Sequence, residues 1–258
     1  VKVRFLGTGT SFGIPVVGCD CEVCTSSDSR NRRTRHGLLI EEEGRRLLVD
    51  TPPELRLQLV AAGVRHLDAV YLTHPHADHI HGIDDLRIFT LRSERPLPVY
   101  VAEEHAAEIR RRFPYIWEED LDRPPVSSVP DLEMVSFRDR EPARPAGFSL
   151  TPVGFPHGPF RSYGFRLGDL AVIVDAKELP EDAADLLGGV RVLVVNALWF
   201  GNPHPSHFNV EEALEVIERL APERAYLTHL THRLEHARLS ARLPDGVEPA
   251  HDGLEVEL

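Results

Sequence analysis

Thr73-His74-Pro75-His76-Ala77-Asp78-His79 puts four metal-ligand side chains within six residues. The apolar run Leu67-Asp68-Ala69-Val70-Tyr71-Leu72 before it reads as a buried strand. Ile80-His81-Gly82-Ile83 after it reads as the start of a helix reaching to about residue 92. The ligand types therefore sit on a strand-to-helix loop, where a rigid scaffold can aim side chains at one point. Imidazole and carboxylate together suit Zn²⁺, Mn²⁺ or Fe²⁺. A plain polar surface loop would have no need of such crowding.

Working outward, other strand-like segments also end on titratable residues. The hairpin Gly37-Leu38-Leu39-Ile40 and Arg46-Leu47-Leu48-Val49 turns at Glu43-Gly44 and runs into Asp50. Asp50 is expected to orient ligand imidazoles. Phe148 to Val153 leads to His157, and Leu170 to Val174 leads to Asp175. Ala225-Tyr226-Leu227-Thr228-His229 echoes Tyr71-Leu72-Thr73-His74. A single strand-end histidine is usually structural, but a set of them points to convergence on a site. His207 lies just before Asn209, which reads as the N-cap of an amphipathic helix from Val210 to Leu220. His204 reads as a structural neighbour of His207. His36, His66, His105 and His236 read as surface or structural, and His251 as a residue able to approach the site.

Bulk properties bound the function. A chain of 258 residues with 42% hydrophobic content can bury a sizeable core, and residues 1–258 are expected to form one domain. Two loops stand out: a polar loop at about 13–36 that needs something to order it, and an irregular insertion at about 113–146, read as a lid, a dimer edge or a surface insertion. Acidic residues outnumber basic ones, 41 to 29, giving a formal net charge of −12. That disfavours a long nucleic acid as partner. No apolar run is long enough to span a bilayer, so a cytoplasmic enzyme is the expectation. The three cysteines, Cys19, Cys21 and Cys24, are too close together for a disulfide scaffold and read as a metal cluster.

Asp50, His74-x-His76-x-Asp78-His79, His157, Asp175 and His229 occur in the order and spacing of the metallo-β-lactamase superfamily, which the whole chain resembles. The resemblance implies an α+β fold, an αββα sandwich of two packed mixed sheets with helices on the outer faces. It implies one metal on His74, His76 and His157, a second on Asp78, His79 and His229, and Asp175 bridging both. Within the superfamily, Leu6-Gly7-Thr8-Gly9-Thr10-Ser11 and Gly18-Cys19-Asp20-Cys21-Glu22-Val23-Cys24 resemble the phosphodiesterase of the carbon–phosphorus lyase pathway. That family implies a structural Zn²⁺ on Cys19, Cys21, Cys24 and His232, a closed tetrahedral set. It also implies a catalytic role for His207.

The implied activity is hydrolysis of a small or cyclic phosphodiester by a hydroxide bridging two Mn²⁺ or Zn²⁺ ions. Asp78 would accept the hydroxide's proton, and His207 would donate to the leaving oxygen or steady the phosphoryl group. The expected partners are a small diester, no membrane, and a second copy of the chain as a homodimer. The alternatives are a tRNA 3′-processing ribonuclease, or a thioester or lactone hydrolase on the same fold.

Overall fold

The computed structural model describes residues 1–93, 95–118 and 128–258. Two sheets stack face to face. The first orders seven strands as β13-β1-β2-β3-β4-β5-β6, and the second orders six as β12-β11-β10-β9-β8-β7. In the first sheet these are β1 (Lys2–Gly7), β2 (Gly37–Glu42), β3 (Arg45–Val49), β4 (Ala69–Tyr71), β5 (Leu97–Ala102), β6 (Leu132–Phe137) and the late strand β13 (Glu255–Glu257). In the second they are β7 (Leu150–His157), β8 (Phe160–Leu167), β9 (Leu170–Ile173), β10 (Val192–Asn196), β11 (Arg224–Thr228) and β12 (Val247–Pro249).

Period-two alternation explains why the central strands are apolar throughout. In β2, Leu38 and Ile40 face the second sheet, while Leu39 faces the helices outside. In β10, Val192 and Val194 face inward, and Leu193 and Val195 face outward. Three cores result. One lies between the sheets around Phe5, Tyr71, Phe165 and Tyr226. A second joins the outer face of the first sheet to α1 (Leu55–Ala61), α2 (Ala77–Ile80), α3 (Arg87–Ser93) and α4 (Glu103–Arg112). After α5 (Pro114–Trp117), a third joins the second sheet to α6 (Glu181–Leu187), α7 (Val210–Leu220) and α8 (His236–Ser240). This is the αββα sandwich that the sequence implies.

Two expectations need correcting. The segment after the ligand motif is not one helix. It breaks into α2, a 3-10 turn at Ile83–Leu86, and α3. Gly82 marks the break: its N–H donates to Thr51 O, and a Cβ there would stand 2.1 Å from Pro52 O. Only a glycine lets the motif loop lie so close to the turn after β3. The 113–146 insertion is also more regular than its composition suggests. It holds α5 and β6, and β6 pairs in parallel with β5 along its full length. Residues 119–127 of that insertion, part of the stretch read as a lid or dimer edge, lie outside the described residues.

Candidate metal centre

Five strand ends and one helix start meet at one edge of the sandwich. β3 ends at Asp50, β4 leads to Thr73 and His74, β7 ends in His157, β9 leads to Asp175, and β11 leads to His229. His76 precedes α2, which carries Asp78 and His79. Three of these residues hold left-handed backbone: Asp50 (φ 62°), Asp175 (φ 54°) and His229 (φ 57°). Non-glycine residues rarely adopt that conformation, and it clusters where structure over-determines a functional side chain.

Two overlapping groups form. One is His74, His76, His157 and Asp175; the other is Asp78, His79, Asp175 and His229. Within each, the ligand atoms lie within 4.8 Å of one another. Asp175 belongs to both. Its Oδ2 lies 3.5 Å from His74 Nε2 and 3.4 Å from His79 Nε2, while Oδ1 lies 3.1 Å from His229 Nε2.

The outer hydrogen bonds fix which nitrogens carry protons. Thr73 Oγ1–H donates to Asp50 Oδ2 at 2.9 Å, so Thr73 Oγ1 accepts from His74 Nδ1–H at 3.0 Å. His157 Nδ1–H donates to the carbonyl of Ser206 at 2.8 Å. His79 Nδ1–H donates to Asp50 Oδ2 at 2.6 Å. In the neutral imidazoles the Nε2 lone pairs of His74, His157 and His79 therefore point inward. Those of His74 and His157 lie 2.9 and 3.1 Å from His76 Nδ1, which can offer a single proton between them. His79 Nε2, His229 Nε2 and Asp175 Oδ1 are buried without hydrogen-bond partners among the described residues. Converging, unsatisfied buried acceptors call for a cation.

The electrostatics agree. Burial pushes the His74 and His157 imidazoles down, the latter to about 4, so both stay neutral and able to ligate. Burial also opposes charge on His79, but the carboxylates of Asp175, Asp78 and Asp50 outweigh it and raise its pKa well above the ordinary range. Burial likewise disfavours ionised Asp78 and Asp175, yet the surrounding imidazoles hold both below the usual carboxylate range. The site has a surplus of negative charge that would draw a proton to His79. A divalent cation is the natural replacement for that proton.

His207 borders the cluster, its Nε2 3.2 Å from Asp175 Oδ2 and its ring stacked on His229 at 5.0 Å between centroids. His204 Nδ1 lies 3.2 Å from His207 Nδ1. Separately, Cys19, Cys21 and Cys24 surround His232 Nδ1, their sulfurs 3.3, 3.5 and 3.5 Å away. Zn–S bonds of about 2.3 Å and Zn–N bonds of about 2.05 Å at tetrahedral angles put sulfur and nitrogen roughly 3.5 Å apart, so the set fits that ion. The backbone N–H of Cys24 pulls the Cys21 thiol down to about 6, with help from the other thiols and His232. A thiolate is thus available to a metal near neutral pH.

Of the histidines read as surface or structural, His36 is buried: its ring lies 5.9 Å from His79, and its Nδ1 faces Thr228 Oγ1 at 3.3 Å. His105 and His236 are also buried, His105 against the carbonyl of Arg161 and His236 against Arg33. His251 stays away from the metal-ligand groups and packs beside His236. Gly9, in the Leu6–Ser11 stretch, bridges Arg35 and Leu230 next to His229. The Thr-His echo could have flagged Thr73; nothing local flagged His36.

An αββα sandwich with histidine and aspartate clusters at one sheet edge marks a metal-binding member of a known superfamily. Residues 45–230 match the family described as beta-lactamase superfamily domain, and the chain belongs to that superfamily. It is similar to the solved structure of a diphosphatase from the PhnP family, with a TM-score of 0.91 and 33% identity, covering 100% of this chain and 97% of that one. It is 36% identical to an octanoyltransferase of Porphyromonas gingivalis across 99% of its own length, but it spans only 51% of that protein. It is also 29% identical to a ribonuclease Z of a Bradyrhizobium species, over 63% of this chain and 64% of that one. No described helix is long and apolar enough to cross a membrane.

Proposed function

We propose that this chain is a metal-dependent phosphodiesterase acting on a small or cyclic phosphodiester in the cytoplasm. One cation would be held by His74, His76 and His157 and the other by Asp78, His79 and His229, with Asp175 belonging to both groups. Bound there, Zn²⁺ or Mn²⁺ would supply an activated water and neutralise the phosphoryl oxygens. Cys19, Cys21, Cys24 and His232 would hold a structural zinc, which would order the 13–36 loop. The similarity to a phosphoryl-bond hydrolase, the PhnP-family diphosphatase, supports phosphorus rather than carbonyl chemistry.

The observation that carries the reading is the placement of His207, with Nε2 3.2 Å from Asp175 and at the rim of both ligand groups. Protonated, it can donate to a leaving alkoxide or to a phosphoryl oxygen without being needed to hold a cation. Asp78, held ionised by the surrounding imidazoles, can take the proton that the attacking water loses. His204 and the Ser206 hydroxyl, 3.0 Å from His207 Nδ1, orient the donor ring. His207→Ala is therefore expected to lower turnover of bis(p-nitrophenyl) phosphate by about a hundredfold or more while metal content stays unchanged. Full activity in that variant would remove His207 from the mechanism.

The likeness to ribonuclease Z favours a second reading, a tRNA 3′-processing activity. The net charge of −12 weighs against it. Cleavage of a structured tRNA precursor at rates above those on small diesters would support the ribonuclease.

A further inference from the structure

A cleft of about 610 Å³ opens beside His76. One wall is α4, with Glu104, Glu108, Arg111 and Arg112; the other is the β7–β8 turn, with Gly158, Pro159, Phe160 and Arg161. This volume lies within the range of small-molecule clefts and exceeds what a phosphate alone would fill.

Phe160 is the unusual residue here. Its side chain is 49% exposed, at the tip of a hairpin, and its ring meets the His76 ring edge-on, 5.6 Å between centroids and 87° between planes. A large, half-exposed aromatic lining the cleft beside a candidate ligand imidazole offers a surface on which a planar group can stack. The charged groups around it are already engaged with one another. Arg112 donates to the Pro75 carbonyl and to Glu108, Arg111 pairs with Glu108, Arg161 pairs with Asp139, and Glu104 accepts from the Tyr163 hydroxyl. Each described arginine and glutamate lining the cleft thus has a partner within the protein, Arg111 only through an exposed pair. The wall suits a neutral, flat substituent.

We infer that this cleft seats the organic substituent of the phosphodiester, and that Phe160 selects substrates bearing a nucleobase by stacking on it. The inference rests on the phosphodiesterase reading and goes beyond it by naming the substrate class. Phe160 is a specificity-determining residue that packs against His76 but supplies no ligand, acid or base itself.

Two esters with the same p-nitrophenolate leaving group isolate the effect: thymidine 5′-(p-nitrophenyl phosphate) and methyl p-nitrophenyl phosphate. The wild-type holoenzyme is expected to prefer the thymidine ester. In Phe160→Ala, kcat/KM for the thymidine ester is expected to fall about tenfold, with the methyl ester changed by less than about twofold, and Phe160→Trp is expected to keep the preference. A parallel loss on both esters would mean that Phe160 merely props His76, and no loss on either would mean that the base does not touch it; each overturns the inference. Wild-type enzyme that turns over both esters equally well also overturns it but leaves the phosphodiesterase reading standing. Hydrolysis of neither ester overturns both.

Discussion

The two ligand clusters are built in opposite ways. Cys19, Cys21 and Cys24 come from one loop and need only His232 from elsewhere to complete a set. The histidine and aspartate groups draw on the ends of β4, β7, β9 and β11 and on α2, and cannot exist until both sheets have packed. None of the four cysteine-cluster residues has a positive φ, whereas Asp50, Asp175 and His229 all do. Local clustering suits an ion that orders its own loop, as structural zinc does. Long-range clustering holds its side chains before any ion arrives, which is what chemistry requires. Removing a ligand from one cluster should therefore cost activity, and from the other stability.

The largest effect falls on the shared carboxylate. Asp175→Ala is expected to lower diester turnover by at least about a thousandfold and to leave about one zinc per chain, the one on the cysteines, with the fold intact by circular dichroism. Cys21→Ser should do the reverse. Unfolding in urea is expected to show a loss of roughly 3 kcal/mol, with proteolytic nicking in the 13–36 loop, while kcat on a small diester falls less than about tenfold. A collapse of activity with unchanged stability would erase the distinction between the clusters. The smaller effect tests the support behind the ligands. Asp50 accepts from Thr73 and His79 and touches neither inferred substrate nor a shared ligand position. Asp50→Asn is expected to weaken metal affinity or activity by about 10–100-fold, read by competition with a chelator. No change would show that Thr73 and burial orient His79 unaided.

Much of this was legible in the sequence, for physical reasons that also mark where legibility ended. Period-two apolar runs such as Leu38-Leu39-Ile40 report strands buried on both faces, and their ends name the site edge. Clustered ligand types, His74 to His79 and Cys19 to Cys24, are dense enough to be read without coordinates. The broken helix after His79 was hidden because Ile83, Leu86 and Phe89 keep a helical spacing while Gly82 takes its backbone close to Pro52. His36 and Phe160 were missed because each owes its position to a contact 43 or more residues away, His36 with His79 and Phe160 with His76. No local spacing encodes such a pair.

The central claim is that this superfamily member works with two cations held apart from a third, structural one. Titrating metal-depleted protein with Mn²⁺ or Zn²⁺ while following bis(p-nitrophenyl) phosphate hydrolysis tests it most directly. With the cysteine cluster loaded, activity should stay near zero and then rise to a plateau at about two further equivalents per chain, for a total of about three. Full hydrolysis by the metal-depleted protein, or a plateau at one equivalent in total, would contradict it.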